Sequence, residues 1–506
     1  MAKVSSTPET TIPDSTLTTS ETELITNSPF VQNLLPPHLS LSPEGGPLPD
    51  RVKAVAQYIP LQHGLLTYHR PKNSPTPFQI YKLPEAEVVP GHTPISEFPR
   101  LSVTRILTQQ WCELRDFFEI YSRTPREETD AMRKGRKEHL KLELETHPEI
   151  DMSDVLEHIP QVELKEVDVY CQSVVDAILR LVTLLQTGRA REIYVHGFID
   201  EFGVIDDGEV LDEDSMIVTG VIDHLVLKSS DRERPIEHAF KQMNDLKDIV
   251  DLGSEVISKH PSSYFLLVSD VKTRSQPTLP SQASVLQGAK SQVMIYRKFL
   301  EVLGGRFGAQ WLEEYCKRKK IDINEPITPE FALGLIYTHD VFWKDFERIR
   351  DGVDVGIEGF DNHKHFSNYD LSYLKSSITD PEMLEKISPF LKPWSRAPTT
   401  RYFISRLSKM FHNTALLLRH EELRVEYFFQ GKNLHDVYFQ YDENVMATVA
   451  AKGLEFWKGY RDPQPIEGTF KNINSICKYC DFKDHCLWTK EMEQQNYDRG
   501  HNSMLY

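Results

Sequence analysis

Two short stretches place charged side chains where apolar strands do not ordinarily carry them. In 264–274 (YFLLVSDVKTR) side chains alternate between faces. Both faces begin apolar, as in a strand buried on both sides. Asp270 and Lys272 then fall next to each other on one side. In 217–227 (IVTGVIDHLVL) one acid, Asp223, is embedded in an apolar strand, three residues after Gly220. A buried carboxylate or ammonium is costly unless it is paired or bound to a metal. Two carboxylates on neighbouring strands suit Mg²⁺, a hard cation that prefers oxygen ligands. A nearby lysine can orient water and stabilise charge developing on a phosphate. Together these are the parts of phosphodiester hydrolysis. The D-x-K spacing alone is better explained as a structural ion pair, Asp270 with Lys272 or Arg274.

Further residues join the set. Gly135, His139 and Glu143 share one face of a helix at i, i+4 spacing, and so do Gln292 and Tyr296. Taken singly, His139 reads as a surface helix residue, and Tyr296 as core packing beside Ala289, Val293 and Leu300. Their order around the two acidic strands is what chance does not readily supply. Near the end, Cys477, Cys480 and Cys486 form C-x2-C-x5-C, three corners of a tetrahedral site. Cys112, Cys171, Cys316 and His485 are the candidates for a fourth ligand. Cys171 reads as a small buried hydrophobe on an apolar helix, and Cys316 lies in the basic stretch YCKRKK. The pattern itself leaves zinc and iron–sulfur both open.

Hydrophobic periodicity supplies the elements that must position these groups. It predicts helices over 105–122, 128–146, 167–187 and 284–303, and strands over 192–204, 216–228 and 262–274. Residues 310–460 read as mostly helical, with a strand pair at 423–430 and 436–441, and 205–215 as an exposed acidic connection. The chain has 506 residues and a net charge of −17, which excludes a globally basic nucleic-acid binder but not a local basic groove. Arg133, Lys134, Arg136 and Lys137 surround His139, and Lys317, Arg318, Lys319 and Lys320 form a second basic run. A solvated helix face is the plain alternative for both. Aromatic residues are frequent from Tyr402 to Tyr441, most of them core and a few suited to stacking on unpaired bases. Six cysteines are too few for a disulfide scaffold, and no apolar run approaches the ~18 residues of a membrane span. There is no G-x-x-x-x-G-K-[ST] phosphate loop, hence no sign of an ATP-driven motor. The Ser/Thr/Pro-rich residues 1–50 read as a disordered tail without the arginines of an obvious mitochondrial presequence.

The ordered motifs G-x-x-x-H (135–139), G-x-x-D (220–223), D-x-K (270–272) and Q-x-x-x-Y (292–296) resemble the RecB-type PD-(D/E)XK nucleases. With a lone cysteine before the core and C-x2-C-x5-C after it, the chain is similar to the fungal, mitochondrial type of the exonuclease V family. That resemblance implies an α/β fold: a restriction-endonuclease-like core with a mixed sheet flanked by helices, a large helical C-terminal part and an iron–sulfur staple. It divides the chain into the tail 1–50, a segment 51–125 carrying the first cluster cysteine, a nuclease core 126–303, a helical region 304–476, the cysteine cluster 477–490 and a tail 491–506. It implies His139, Asp223, Asp270 and the Val271 carbonyl as Mg²⁺ ligands, Lys272 as the catalytic lysine, and Gln292 and Tyr296 as positioning residues. It implies a [4Fe–4S] cluster on Cys112, Cys477, Cys480 and Cys486, and DNA contacts from Arg136, Lys137 and Arg274. The activity implied is Mg²⁺-dependent, 5′-directed exonuclease action on single-stranded DNA, by a monomer not associated with membranes, in mitochondria, the nucleus or both. A single-strand-binding protein is the partner this suggests. An inactive metal-stapled scaffold and a structure-specific endonuclease are the competing readings.

Overall fold

The computed structural model describes residues 48–83, 100–124, 129–148, 164–206, 215–363 and 368–503. Nearly all of the expected tail, and most of the acidic connection at 205–215, lie outside them. The described chain divides into a large unit, His69–Glu467, and a small one built from residues up to Tyr68 together with Gly468 onward.

A seven-stranded mixed sheet organises the large unit. Its strands are β1 (Leu101–Ser102), β2 (Arg189–Asp200), β3 (Gly203–Val204), β4 (Met216–Ser229), β5 (Tyr264–Arg274), β6 (Glu422–Phe429) and β7 (Lys432–Gln440). The order is β3-β2-β4-β5-β6-β7, with β1 beside β4. β2–β4, β4–β5 and β6–β7 pair antiparallel, while β5–β6 and β1–β4 pair parallel. The sheet therefore draws two strands from beyond 303, so a nuclease core bounded at that residue would cut the sheet between β5 and β6. A buried polar network crosses its centre. Arg424 donates to Glu426 at 2.8 Å, to Ser269 Oγ at 3.0 Å and to Asp436 at 3.2 Å, and Glu426 lies 2.8 Å from His224 Nδ1. It fixes β4, β5 and β6 beside Asp223 and Asp270, one residue away on each strand.

Two helices carry the remaining site residues, and a third lies between them in the chain. α2 (Asp130–Thr146) starts at Thr129, whose hydroxyl caps the Met132 N–H. Its one buried residue is Leu142, which packs with Val271 and Phe428. α3 (Glu166–Thr187) buries Val167, Tyr170, Val174, Ile178, Leu181 and Leu185, the positions its period predicts, and ends at Gly188 with φ +80°. α4 (Ala283–Gly304) carries Gln292 and Tyr296.

The helix expected over 105–122 is interrupted. A short helix, Val103–Ile106, ends before a turn, and α1 (Glu113–Ser122) begins after Cys112 in extended conformation. Glu113 sets the break. It is 1% exposed, accepts from Thr108 Oγ1, and is paired with Arg461 at 2.5 and 2.8 Å. A buried acid held from outside the helix decides where the helix can start.

In the small unit the helix Asp50–Ala56 and the hairpin Leu61–Gln62/Leu65–Leu66 meet the cysteine segment through a Leu66–Cys486 bridge and an Arg51–Asp481 ion pair. Among the described residues no helix is long and apolar enough to cross a membrane.

His196 on β2 gives the core a titratable group. It is 2% exposed and lies against Tyr315, with Nε2 3.3 Å from the Trp311 carbonyl. Burial pushes its pKa down to about 4, the Trp311 carbonyl opposing. The unfolded chain therefore takes up this proton near pH 6.5 while the folded chain does not. Stability is full above that pH and falls as pH drops towards 4, by about 3 kcal/mol for this group. His196→Gln should flatten the fall in melting temperature over that window; curves parallel to wild type would contradict it.

Candidate active site

β4 loses its strand partners on both sides at Asp223. Towards β5 the ladder ends at His224–Ser269, so Asp223 and Asp270 are the next residues on strands that part. Towards β2 the ladder runs through Arg191–His224 and Ile193–Ile222 and omits Glu192 and Asp223 between them. Glu192 has φ +54°, the left-handed region that non-glycine residues seldom adopt.

The expected residues converge in that gap. The Val271 N–H donates to Asp223 Oδ2 at 2.6 Å. Lys272 Nζ lies 2.8 Å from Asp270 Oδ2 and donates to Gln292 Oε1 at 2.9 Å. Gln292 Nε2 in turn donates to Tyr296 Oη at 2.7 Å. The Q-x-x-x-Y motif thus acts on the lysine, which it holds against the acid. From α2, His139 Nδ1 stands 3.8 Å from Asp223 Oδ1 and 3.6 Å from Glu192 Oε1. The other two residues on that helix face have their own tasks. A Cβ at Gly135 would lie 2.9 Å from Thr273 Oγ1, so glycine lets α2 approach β5. Glu143 pairs with Arg180 of α3 at 2.5 Å.

The electrostatics of the gap would suit a bound cation. Asp270 is wholly buried, and neither of its oxygens accepts an aligned hydrogen bond despite the ion pair with Lys272. Burial and the neighbouring Asp270 push the Asp223 carboxyl well above its usual range, against His139 and Lys272. Burial disfavours the Lys272 ammonium, but Asp270 and Asp223 outweigh it and raise its pKa. Contact with Glu192, then the charge of Asp223, hold the His139 imidazolium above its usual value against burial. Burial and the two acids keep Tyr296 a neutral phenol. His139, Glu192 and Asp223 offer ligand atoms within 4.8 Å of one another. An oxygen-rich set with one imidazole suits Mg²⁺ or Mn²⁺.

Sequence reasoning missed Glu192. It opens the predicted strand 192–204, where a charged residue reads as a boundary rather than as part of a site. Its neighbours Arg191 and Ile193 give it no apolar setting like that of Asp223, so the sequence carried no clear signal. Of the expected DNA contacts, Arg136 and Lys137 are exposed on α2, and Arg274 Nε donates to the Thr278 carbonyl at 3.1 Å. The second basic run is engaged within the fold. Lys317 pairs with Glu314, Arg318 donates to Ser215 and Glu314, and Lys319 lies over Tyr170. Tyr402, Phe403, Phe411, Tyr427 and Phe428 are core, whereas Tyr438 on β7 is 49% exposed.

The cysteines separate by role. Cys171 contacts Thr400 Oγ1 and Cys316 contacts the Tyr170 hydroxyl, both in the core of the large unit. In the small unit, Cys477 and Cys480 bracket one 3-10 turn and Cys486 follows another, Lys483–His485. The Thr489 hydroxyl serves both Cys477 and Cys486, and the backbone N–H groups of Trp488 and Thr489 point to the Cys486 sulfur. Such donors suit thiolate sulfurs that carry a metal or a cluster. Cys112 is 8% exposed, immediately before α1 in the large unit.

A Cβ at Gly220 would collide with the Tyr296 ring and come within 3.0 Å of Val103. Gly220→Ala should therefore displace Tyr296, loosen Gln292 from Lys272 and cost about 1–3 kcal/mol of stability. Melting and cleavage assays on the variant check this; unchanged values in both would contradict it.

Comparison with known proteins now bears on this geometry. A family model described as "Exonuclease V - a 5' deoxyribonuclease" matches residues 96–489. A Vanderwaltozyma polyspora protein named "Exonuclease V, mitochondrial" is 34% identical over 475 residues, covering 89% of this chain and 85% of that one. A protein of the same name from Eremothecium gossypii is 31% identical over 482 residues, covering 90% and 91%. Another from Saccharomyces cerevisiae (strain YJM789) is 28% identical over 544 residues, covering 96% and 90%. A match that spans both flanks of the Asp223–Asp270 gap and the whole sheet between them establishes descent as well as likeness: this chain belongs to the exonuclease V family and is a nuclease.

Proposed function

We propose that the protein is a Mg²⁺-dependent exonuclease that degrades single-stranded DNA from its 5′ end, and that it carries a [4Fe–4S] cluster. The observation that carries the first part is the buried Asp270, with oxygens left unsatisfied beside Asp223 and an ammonium fixed by Gln292. His139, Asp223 and Asp270 would hold the ion, with the Val271 carbonyl as the further expected ligand. Bound there, a divalent cation supplies Lewis-acid stabilisation of the phosphate and makes water more acidic. The chain's own groups do the rest. Lys272, kept charged by the two acids, places positive charge where negative charge develops on the phosphate. Gln292 fixes its amine by accepting from Nζ, and Tyr296 fixes Gln292 by accepting from Nε2. Arg136 and Lys137, exposed one turn from His139, are placed to meet the phosphate backbone. In a chain of net charge −17 such contacts must be local.

The cluster reading joins Cys112 to Cys477, Cys480 and Cys486. It is supported by the family's cysteine pattern and by the donors aimed at Cys477 and Cys486. The place of action is mitochondrial, by the names of the relatives. A nuclear share rests on the family resemblance alone.

End-labelled linear and circular single strands, offered with Mg²⁺, test the activity. Wild type should digest the linear strand and spare the circle, and Asp223→Ala should bind DNA at least as well and cut neither. Cutting of circles would make the protein an endonuclease, and an active Asp223→Ala would overturn the site. Purified protein should be brown and contain iron, and Cys112→Ala should lose both; a colourless wild type would overturn the cluster.

A further inference from the structure

Six described non-glycine residues have positive φ: His63, Arg123, Glu192, Arg234, Lys320 and Gln430. Five flank a helix end or turn a hairpin, and Glu192 alone lies inside a strand. Strain of this kind persists only where surrounding contacts over-determine it. Those contacts come from two helices. Arg180 of α3 donates Nη1 to the carbonyls of Arg191 at 3.0 Å and Glu192 at 3.1 Å. Its Nη2 donates to Glu143 of α2 at 2.5 Å. His147, at the C-terminal end of α2, accepts the Arg191 N–H through Nε2 at 2.9 Å. Three backbone groups at the kink thus find partners outside the sheet.

The kink decides what Glu192 faces. In an unbroken ladder Glu192 and Asp223 would stand directly opposite, an arrangement that like charges destabilise. Instead both carboxylates are set against one imidazole, His139. The wholly buried Asp270, ion-paired with Lys272 at 2.8 Å, lies on the far side of Asp223. The Glu192 side chain is 25% exposed, so a hydrated ion can reach it.

We propose that the kink in β2 delivers Glu192 as a further ligand of the divalent-cation centre, with Arg180 and His147 as its positioning residues. The inference rests on the reading of Asp223 and Asp270 as that centre. Arg180 and His147 act by holding the backbone that aims the carboxylate.

Mn²⁺ is the probe, its free concentration followed by electron paramagnetic resonance as it is added to full-length protein dialysed free of divalent cations. Glu192→Gln should weaken Mn²⁺ binding about tenfold or more. Glu192→Gly should do the same while leaving the metal-free melting temperature unchanged or higher, because glycine takes positive φ without strain. Arg180→Ala should weaken binding in the wild-type background and add nothing in the Glu192→Gly background. If Asp223→Ala abolishes Mn²⁺ binding while Glu192→Gln keeps wild-type affinity, the centre stands and the role of Glu192 is overturned. If Asp223→Ala binds Mn²⁺ like wild type, the centre itself is overturned and the inference falls with it. Equal losses from Arg180→Ala in both backgrounds would overturn the positioning role alone.

Discussion

Two carboxylates forced together out of water set the terms for the rest of this molecule. Unit charges about 4 Å apart at an effective dielectric near 20 interact by about 4 kcal/mol. A fold that keeps Asp223 beside Asp270 has to find positive charge for them. Lys272 answers part of the demand, and the two acids in return raise its pKa against the opposing effect of burial. His139 answers another part from outside the sheet. With Glu192 counted, three acids face one ammonium and one imidazole. Even with the imidazole charged, the gap would be negative and would repel a phosphate. A divalent cation at the proposed centre would reverse that sign. The same arithmetic explains how a strongly acidic chain can act on a polyanion: attraction is confined to one place and depends on what is bound there.

Secondary structure serves this arrangement by withholding hydrogen bonds as much as by making them. Asp223 is available because β4 is unpaired on both sides at that residue. The immediate neighbours are tightly held: His224, Ser269, Arg424 and Glu426 form a continuous buried network one residue away. A local opening in an otherwise rigid sheet gives precise placement without the cost of burying unpaired backbone elsewhere.

Much of this was legible in the sequence, for identifiable reasons. Asp223, Asp270 and Lys272 stand out because charge inside an apolar strand contradicts its surroundings. Periodicity placed α3 and α4 closely because apolar burial and helix geometry agree there. Glu192 was illegible because its role comes from the sign of one backbone angle, set by Arg180 from another helix. The interruption before α1 was hidden because the apolar period runs through it, while a buried acid paired with Arg461 stops the helix. Lys317 stays exposed beside Glu314, as a solvated helix face would have it, whereas Arg318 and Lys319 reach Ser215 and Tyr170, distant partners that sequence cannot show. The cysteine spacing was plain, but whether it holds zinc or iron–sulfur is a matter of family, not of spacing.

The parallel pairing of β5 with β6 carries a consequence for how the protein comes into being. Ser269 and Arg424, bonded across these strands, are 155 residues apart in the chain. Contacts of such long range form slowly, after the intervening helices have folded. During synthesis, Asp270 and Lys272 leave the ribosome well before the strand that flanks them. A chain that stops before β6 therefore carries Asp223, Asp270 and Lys272 but lacks the strand whose Val425 and Tyr427 pair beside the last two.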